Sequence, residues 1–189
     1  MVAHPVRESL VQAAAEEAIQ ARRKSGSEIK VIDLYVENFD PRMPLEAWRA
    51  KADADFVERA HRDHVAALRW ATSLVLVYPT WFGGQPAMLK GWLDQVWAIG
   101  VAYELPPNRS RIRARLRNIR EIVVITSHGS KKHMNMLQGE PGKRLVFRGL
   151  RVLCHPLCRV RWVAFYGNDS AGTHDRTSFL ARVGRQLQS

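Results

Sequence analysis

Two short apolar runs, Leu74–Val77 and Ile122–Ile125, constrain this chain more than any other feature. A strand that is apolar at every position must be covered on both faces, which is the situation inside a parallel sheet. The segments around them carry helical signals. Residues 9–26 open on Ser9 and Gln12 as a capping box and close on basic residues and Gly26. Residues 53–70 place Phe56, Val57, Ala60, His64, Val65 and Leu68 on one stripe, and helices are also expected over 86–97, 134–148 and 175–187. Strands are expected over 28–35, 73–79, 121–126 and 160–166. Strands alternating with helices predict an α/β chain with helices on both faces of a parallel sheet.

One domain, 1–189, is the expected organisation for 189 residues. No apolar run approaches the roughly 18 residues of a membrane span, and no apolar leader opens the chain, so a cytoplasmic protein is expected. Cys154 and Cys158 are the only cysteines. Their spacing lacks the second ligand pair of a zinc site, so two reduced thiols and no metal are expected. His61 and His64, three apart on one helical face, lack a partner set and read as structural.

Charge is unevenly spread. Through Glu104 there are 12 Lys and Arg against 14 Asp and Glu, net −2; from Leu105 onward there are 17 against 4, net +13. Arg109, Arg111, Arg113, Arg115, Arg117 and Arg120 form a block without an acid. Such a block attracts anions in general. No zinc finger or other nucleic-acid motif accompanies it, so a solvated connector is the plainer interpretation, with no specific nucleic-acid partner.

The chemistry gathers in "YPTWFGGQPAMLKGW" (78–92). A buried strand runs directly into adjacent aromatics, two glycines and a proline, so a turn carries side chains that usually go to the core. In open parallel sheets, ligands bind beyond the carboxyl ends of the strands. "AHPVRES" (3–9), "YPTWFGG" (78–84) and "TSHGS" (126–130) share that rim. Ser9 and the N–H groups opening the first helix suit a phosphate, with a plain helix cap as the alternative. Gly83 and Gly84 let main chain approach a polar ring edge, Trp81 and Phe82 supply a wall, and Thr126, Ser127 and Gly129 add donors and acceptors. A phosphate at one end and a flat heteroaromatic ring at the other describe a flavin nucleotide.

These motifs, with "LQG" (137–139), resemble the NAD(P)H:quinone oxidoreductases of the DT-diaphorase type over nearly the whole chain. The resemblance implies a flavodoxin-like three-layer αβα fold with a five-stranded parallel sheet in order 2-1-3-4-5. It implies His4, Ser9 and Leu10 by the ribityl and phosphate part of FMN or FAD, and Pro79, Thr80, Trp81, Phe82 and Gly83 along the isoalloxazine. Thr126, Ser127, His128 and Gly129 would meet the pyrimidine edge. It further implies hydride transfer from NAD(P)H through the flavin to a quinone or other small aromatic acceptor, a pocket role for Tyr103, and a homodimer. His128, and His133 beside it, are candidates for stabilising a reduced oxygen, with a hydrogen-bonded loop role as the plainer alternative.

Departures from the family's pattern matter. Leu10-Val11 replaces a Phe-Asn pair, and Asn135 and Pro141 stand where the mammalian members have Tyr and His. A relay through that pair is therefore not implied. A second class of reading follows, a regulatory or interaction subunit accompanying a transport protein; a third is surface binding of nucleic acid or membrane by the basic half. Finally, only Met1–Ala3 precede His4, so the first strand is expected to be truncated and its neighbours' backbone groups left unpaired.

Overall fold

The computed structural model describes residues 1–50, 53–106 and 111–188. Its centre is a parallel sheet of three regular strands, β1 (Ser73–Pro79), β4 (Glu121–His128) and β5 (Arg159–Tyr166), in the order β1-β4-β5. Seven residues of β1 pair with β4, from Ser73 opposite Glu121 to Pro79 opposite Ser127. Eight of β4 pair with β5, ending with His128 opposite Tyr166. A separate antiparallel ribbon joins β2 (Tyr103–Glu104) to β3 (Arg113–Ala114).

Alternation along the strands feeds two cores. Val77, Val123, Ile125, Val163 and Phe165 turn to one face, against α1 (Leu10–Lys24) and α8 (Thr173–Leu187). Leu74, Leu76, Tyr78, Ile122 and Val124 turn to the other, against α4 (Arg62–Trp70) and α5 (Ala87–Val96). Both faces are covered, as continuous apolar strands require.

Three expected elements differ. The helix over 53–70 is two, α3 (Ala54–Ala60) and α4, broken at His61 with φ −131°. The helix over 134–148 is also divided, into α6 (Lys132–Leu137), α7 (Pro141–Arg144) and a π-helical turn, Leu145–Leu150; α2 (Leu45–Arg49) is a single short turn not anticipated. A residue before proline is driven out of the right-handed helical region, and Glu140 sits at φ 45°.

The strand over 28–35 is reduced to one rung. Val2 bridges Asp33 on one side and Val77 on the other. Met1–Ala3 are well bonded where they exist: Val2 N–H donates to Ile32 O (2.8 Å), Leu34 N–H to Val2 O (3.1 Å), Ala3 N–H to Val77 O (3.0 Å) and Val77 N–H to Met1 O (3.0 Å). The Met1 ammonium donates to Val75 O at 3.1 Å, and burial lowers its pKa to about 6. Beyond it, a cavity of about 440 Å³ separates residues 29–32 from residues 73–75.

Candidate functional site

The carboxyl ends of β1, β4 and β5 carry Thr80, His128 and Tyr166 onto one rim. Register places them there: Pro79 pairs with Ser127, His128 with Tyr166, and Thr80 N–H donates to Ser127 O at 2.8 Å. Thr80 Oγ1 lies 2.8 Å from Thr126 Oγ1 and 3.4 Å from His128 Nε2. His128 Nδ1 lies 2.7 Å from Asn135 Oδ1. Asn135 Nδ2 donates to Ser130 O (3.3 Å) and Lys131 O (3.0 Å). Buried polar groups need partners, and this chain supplies them in series.

The Tyr166 ring stacks on His128, centroids 4.5 Å apart and planes 23° apart. Tyr166 Oη–H donates to Glu140 Oε1 (3.2 Å), and Lys143 Nζ donates to Glu140 Oε2 (3.1 Å). Burial pushes the His128 pKa down; the Asn135 hydrogen bond and the Glu140 charge oppose that only in part. Burial also works to raise Glu140, but Lys143 and Tyr166 hold its carboxyl below the usual range.

The aromatic loop is a two-residue hairpin turn. Trp81 N–H donates to Gly84 O (3.1 Å) and Gly84 N–H to Trp81 O (3.0 Å). Both central residues have positive φ, Phe82 at 48° and Gly83 at 76°, the signature of a type I′ turn. Gly83 suits that position, while Phe82 is held there at a conformational cost of about 1 kcal/mol. Its ring is fully exposed. A strained, solvent-facing aromatic at a turn tip fits a surface that receives a ligand better than one that stabilises the fold. The loop is clamped from behind: Gly142 N–H donates to Gly83 O (3.0 Å), and Gln85 Nε2 donates to Tyr78 Oη (3.1 Å) and Gly142 O (2.9 Å).

Not every expected residue joins this rim. Pro79, Thr80, Thr126, Ser127 and His128 do, with Gly129 beside them. A Cβ built on Gly129 would lie 2.5 Å from Asp169 Oδ2, so the acid already covers one side of that glycine. Ser9 caps α1, its Oγ accepting from Gln12 N–H at 3.2 Å, and leaves Leu10 at the open N-terminal turn. Gln12 does not close the box; its amide donates to Asp33 Oδ2 (3.0 Å) and reaches His4 O (3.5 Å). His4 Nδ1 meets Val6 N–H at 3.0 Å. Tyr103 is on the antiparallel ribbon, packed against the second core, and shares no hydrogen bond or ring contact with His128 among the described residues. His133 is exposed on α6.

Asn135, Glu140, Gln85 and Tyr166 were not anticipated as site residues. Tyr166 ends an expected strand, so the carboxyl-end rule that selected Thr80 and His128 would have found it. Arg109 of the basic block lies outside the described residues; Arg113 and Arg115 pair with Glu104 across the ribbon. Cys154 and Cys158 are free and buried, with burial pushing the Cys154 thiol up to about 12. The described residues contain no group of three metal-ligating side chains.

Comparison with known proteins agrees with this architecture. A bacterial relative, the uncharacterized NAD(P)H oxidoreductase YcaK of Escherichia coli, is 35% identical over 58% of this chain and 58% of its own length. The rat NAD(P)H dehydrogenase (quinone) 1 is 30% identical over 75% of this chain and 57% of its own. The chain thus spans a little over half the length of these curated relatives. Among solved structures, an NAD(P)H:quinone oxidoreductase from Methanothermobacter marburgensis superposes with a TM-score of 0.77 at 25% identity, covering 99% of this chain and 92% of that one. The family model described as "Flavodoxin-like fold" matches residues 1–187, and the chain belongs to that family.

Proposed function

We propose that this chain is a flavin-dependent NAD(P)H oxidoreductase that passes a hydride from a nicotinamide through bound FMN or FAD to a quinone-like acceptor. The observation that carries this is the type I′ turn holding Phe82 in solvent at the carboxyl end of β1, beside the hydroxyl and imidazole groups of β4. The residues present fit a flavin: an aromatic wall at Trp81 and Phe82, main chain free of Cβ at Gly83, and polar groups at Thr80, Thr126, Ser127, His128 and Gly129. Ser9, Leu10 and His4 at the opening of α1 would hold the phosphate end, with the helix dipole assisting. A bound flavin supplies hydride acceptance from the nicotinamide and hydride donation to the acceptor. The protein's share is to position the ring, shield it and supply hydrogen bonds along its edge. The names of the relatives support the same activity.

The same proposal covers finer points. The Val2 bridges to Asp33 and Val77 favour a sheet order of 2-1-3-4-5 with a one-rung first strand. A single domain over 1–189, a cytoplasmic location, a homodimer and a pocket role for Tyr103 belong to it as well. No helix is long and apolar enough to cross a membrane among the described residues.

Titration of purified protein with FMN and FAD, followed by absorbance and flavin fluorescence, tests the proposal. Stoichiometric uptake of one of them and flavin-dependent NAD(P)H oxidation with a quinone are expected. Protein that takes up neither would leave the regulatory-subunit reading in its place.

A further inference from the structure

We infer that Asn135 is a positioning residue that sets the direction of a hydrogen-bond chain, so that half-buried Thr80, backed by buried Thr126, presents an acceptor at the rim with its own proton committed inward. The polarity follows from counting donors. Asn135 spends both Nδ2 hydrogens on the carbonyls of Ser130 and Lys131. The flipped amide would set Oδ1 against those two carbonyl oxygens, which accept backbone N–H groups and have no proton to give it, and would turn Nδ2 toward the imidazole. The repulsion between the oxygens makes Oδ1 face the imidazole. An oxygen 2.7 Å from His128 Nδ1 requires a hydrogen on that nitrogen. Neutral His128 is therefore the Nδ1–H tautomer, with a bare lone pair on Nε2. This is the minor tautomer of free histidine, so the site selects it.

The choice propagates. Thr80 lies within reach of both Nε2 and the Thr126 hydroxyl. If Thr80 donated to Thr126, the Thr126 hydrogen and the Nε2 lone pair would both lack partners in a buried place. If Thr126 donates to Thr80 and Thr80 to Nε2, every hydrogen is used. Buried polar groups strongly favour the second arrangement. The chain runs Thr126, Thr80, His128, Asn135, then the carbonyls of Ser130 and Lys131. The ionisable and charged groups facing the imidazole are the stacked Tyr166 and, behind it, Glu140 with Lys143. None of them offers Nε2 a proton.

An acceptor at Thr80 whose own proton is committed inward selects a ring edge that carries an N–H. This consequence rests on the flavin reading above, whose pyrimidine edge carries one imide N–H; the tautomer does not rest on it. Histidine-selective ¹⁵N labelling and NMR of the protein without added flavin read the tautomer directly. Wild type is expected to show His128 with Nδ1 protonated and Nε2 bare. Asn135→Asp keeps an acceptor for Nδ1–H, so it is expected to keep the tautomer and raise the pH at which His128 titrates. Asn135→Leu removes the acceptor and is expected to shift His128 to Nε2–H, with flavin affinity falling about tenfold, the equivalent of about 1.4 kcal/mol.

An Nε2–H wild type would overturn the inference even if the leucine variant fails to fold, and so would an unchanged tautomer in a folded leucine variant. Equal flavin affinity in the folded wild-type and leucine proteins would overturn the functional consequence. Absence of flavin uptake by wild type would sink the flavin reading instead, leaving the tautomer to be decided by the spectra.

Discussion

On one side of β1, seven consecutive residues pair with β4. On the other, the ladder is carried by Val77 alone, bridged to Val2, with the Met1 ammonium on Val75 O below it. The two sides of a single strand thus differ in how much backbone they satisfy, and the two ends of the proposed ligand site sit on different sides. Thr80, Thr126 and His128, the ring-edge groups, stand on the fully laddered half. His4 and Ser9, the phosphate-end groups, follow directly from the three residues of the thin half. A ring edge held by continuous strands should be rigid, while a phosphate end hung from one rung should open at a lower free energy.

The largest effect expected from this contrast is in the core. Val124 is fully buried in the middle of β4, and Val2 borders the cavity. Truncating Val124 to alanine removes methyl groups from packed surroundings and should cost about 2–3 kcal/mol by denaturant unfolding. Val2→Ala removes the same atoms beside existing empty space and should cost about 1 kcal/mol. Equal losses would mean that the two halves are equally well packed.

The laddered half is also the half that could be read in advance. Continuous apolar runs at 73–79 and 121–126 need cover on both faces wherever they lie, so sequence alone determines their state. Alternation over residues 28–35 is a weaker instruction, because a half-apolar strand forms only where a neighbour offers backbone to pair with. Val2 offers one residue, and Val31 remains 47% exposed. The segment 134–148 fails for a local reason. Gly139, Glu140 and Pro141 interrupt a helical stripe, and helical period alone conceals that break. The rim residues Thr80, Thr126 and His128 were legible from the carboxyl-end rule, whereas Glu140 reaches Tyr166 through that unanticipated break and Asn135 reaches His128 from α6, ahead of it.

Strengthening the thin half should be the next largest effect. About five β-branched apolar residues placed ahead of Met1 would lie between residues 29–32 and 73–75, where the cavity is. New ladder bonds at about 0.5–1.5 kcal/mol each and buried apolar side chains, less the entropy of ordering the added chain, should leave a gain on the order of 2 kcal/mol. For a chain of this length that is roughly 4–8 °C in Tm. Flavin retention should rise with it if the phosphate end is the weak one. An unchanged Tm and flavin content would show that one rung suffices.

Gly83 and Gly84 sharpen the contrast within the laddered half. A Cβ on Gly83 would lie 3.2 Å from Pro141 Cγ at φ 76°, whereas one on Gly84 meets nothing within 4 Å. Gly83→Ala should therefore cost about 1 kcal/mol in stability through backbone strain and lower flavin content, and Gly84→Ala should be close to neutral. The approach to Pro141 and the hydrogen bond from Gly142 N–H make Gly83 part of the fold as well as of the rim. Indistinguishable alanine variants would remove the loop from both roles.

The smallest effect is the laddered half's share of a pH dependence, to which the thin half adds a slope of the same sign through the Met1 ammonium, whose pKa burial lowers to about 6. Burial lowers the His128 pKa from its ordinary value of 6.5. Between the two values, unfolded chains bind a proton at this site that folded chains refuse, so stability should rise with pH across that window and fall on acidification below 6.5. Glu121 and Glu140 are depressed carboxylates, so their contribution is present above 4.5 and is lost as pH falls below it. The two windows are therefore separable by denaturant melts above pH 5. His61 is lowered too, by burial and then by His64, and contributes a slope of the same sign from outside the rim. Replacing His128 with glutamine isolates the rim's share: the difference in stability between variant and wild type should shift with pH only below 6.5, and a difference that stays constant from pH 5 to 8 would place an ordinary, solvated imidazole at the centre of the rim.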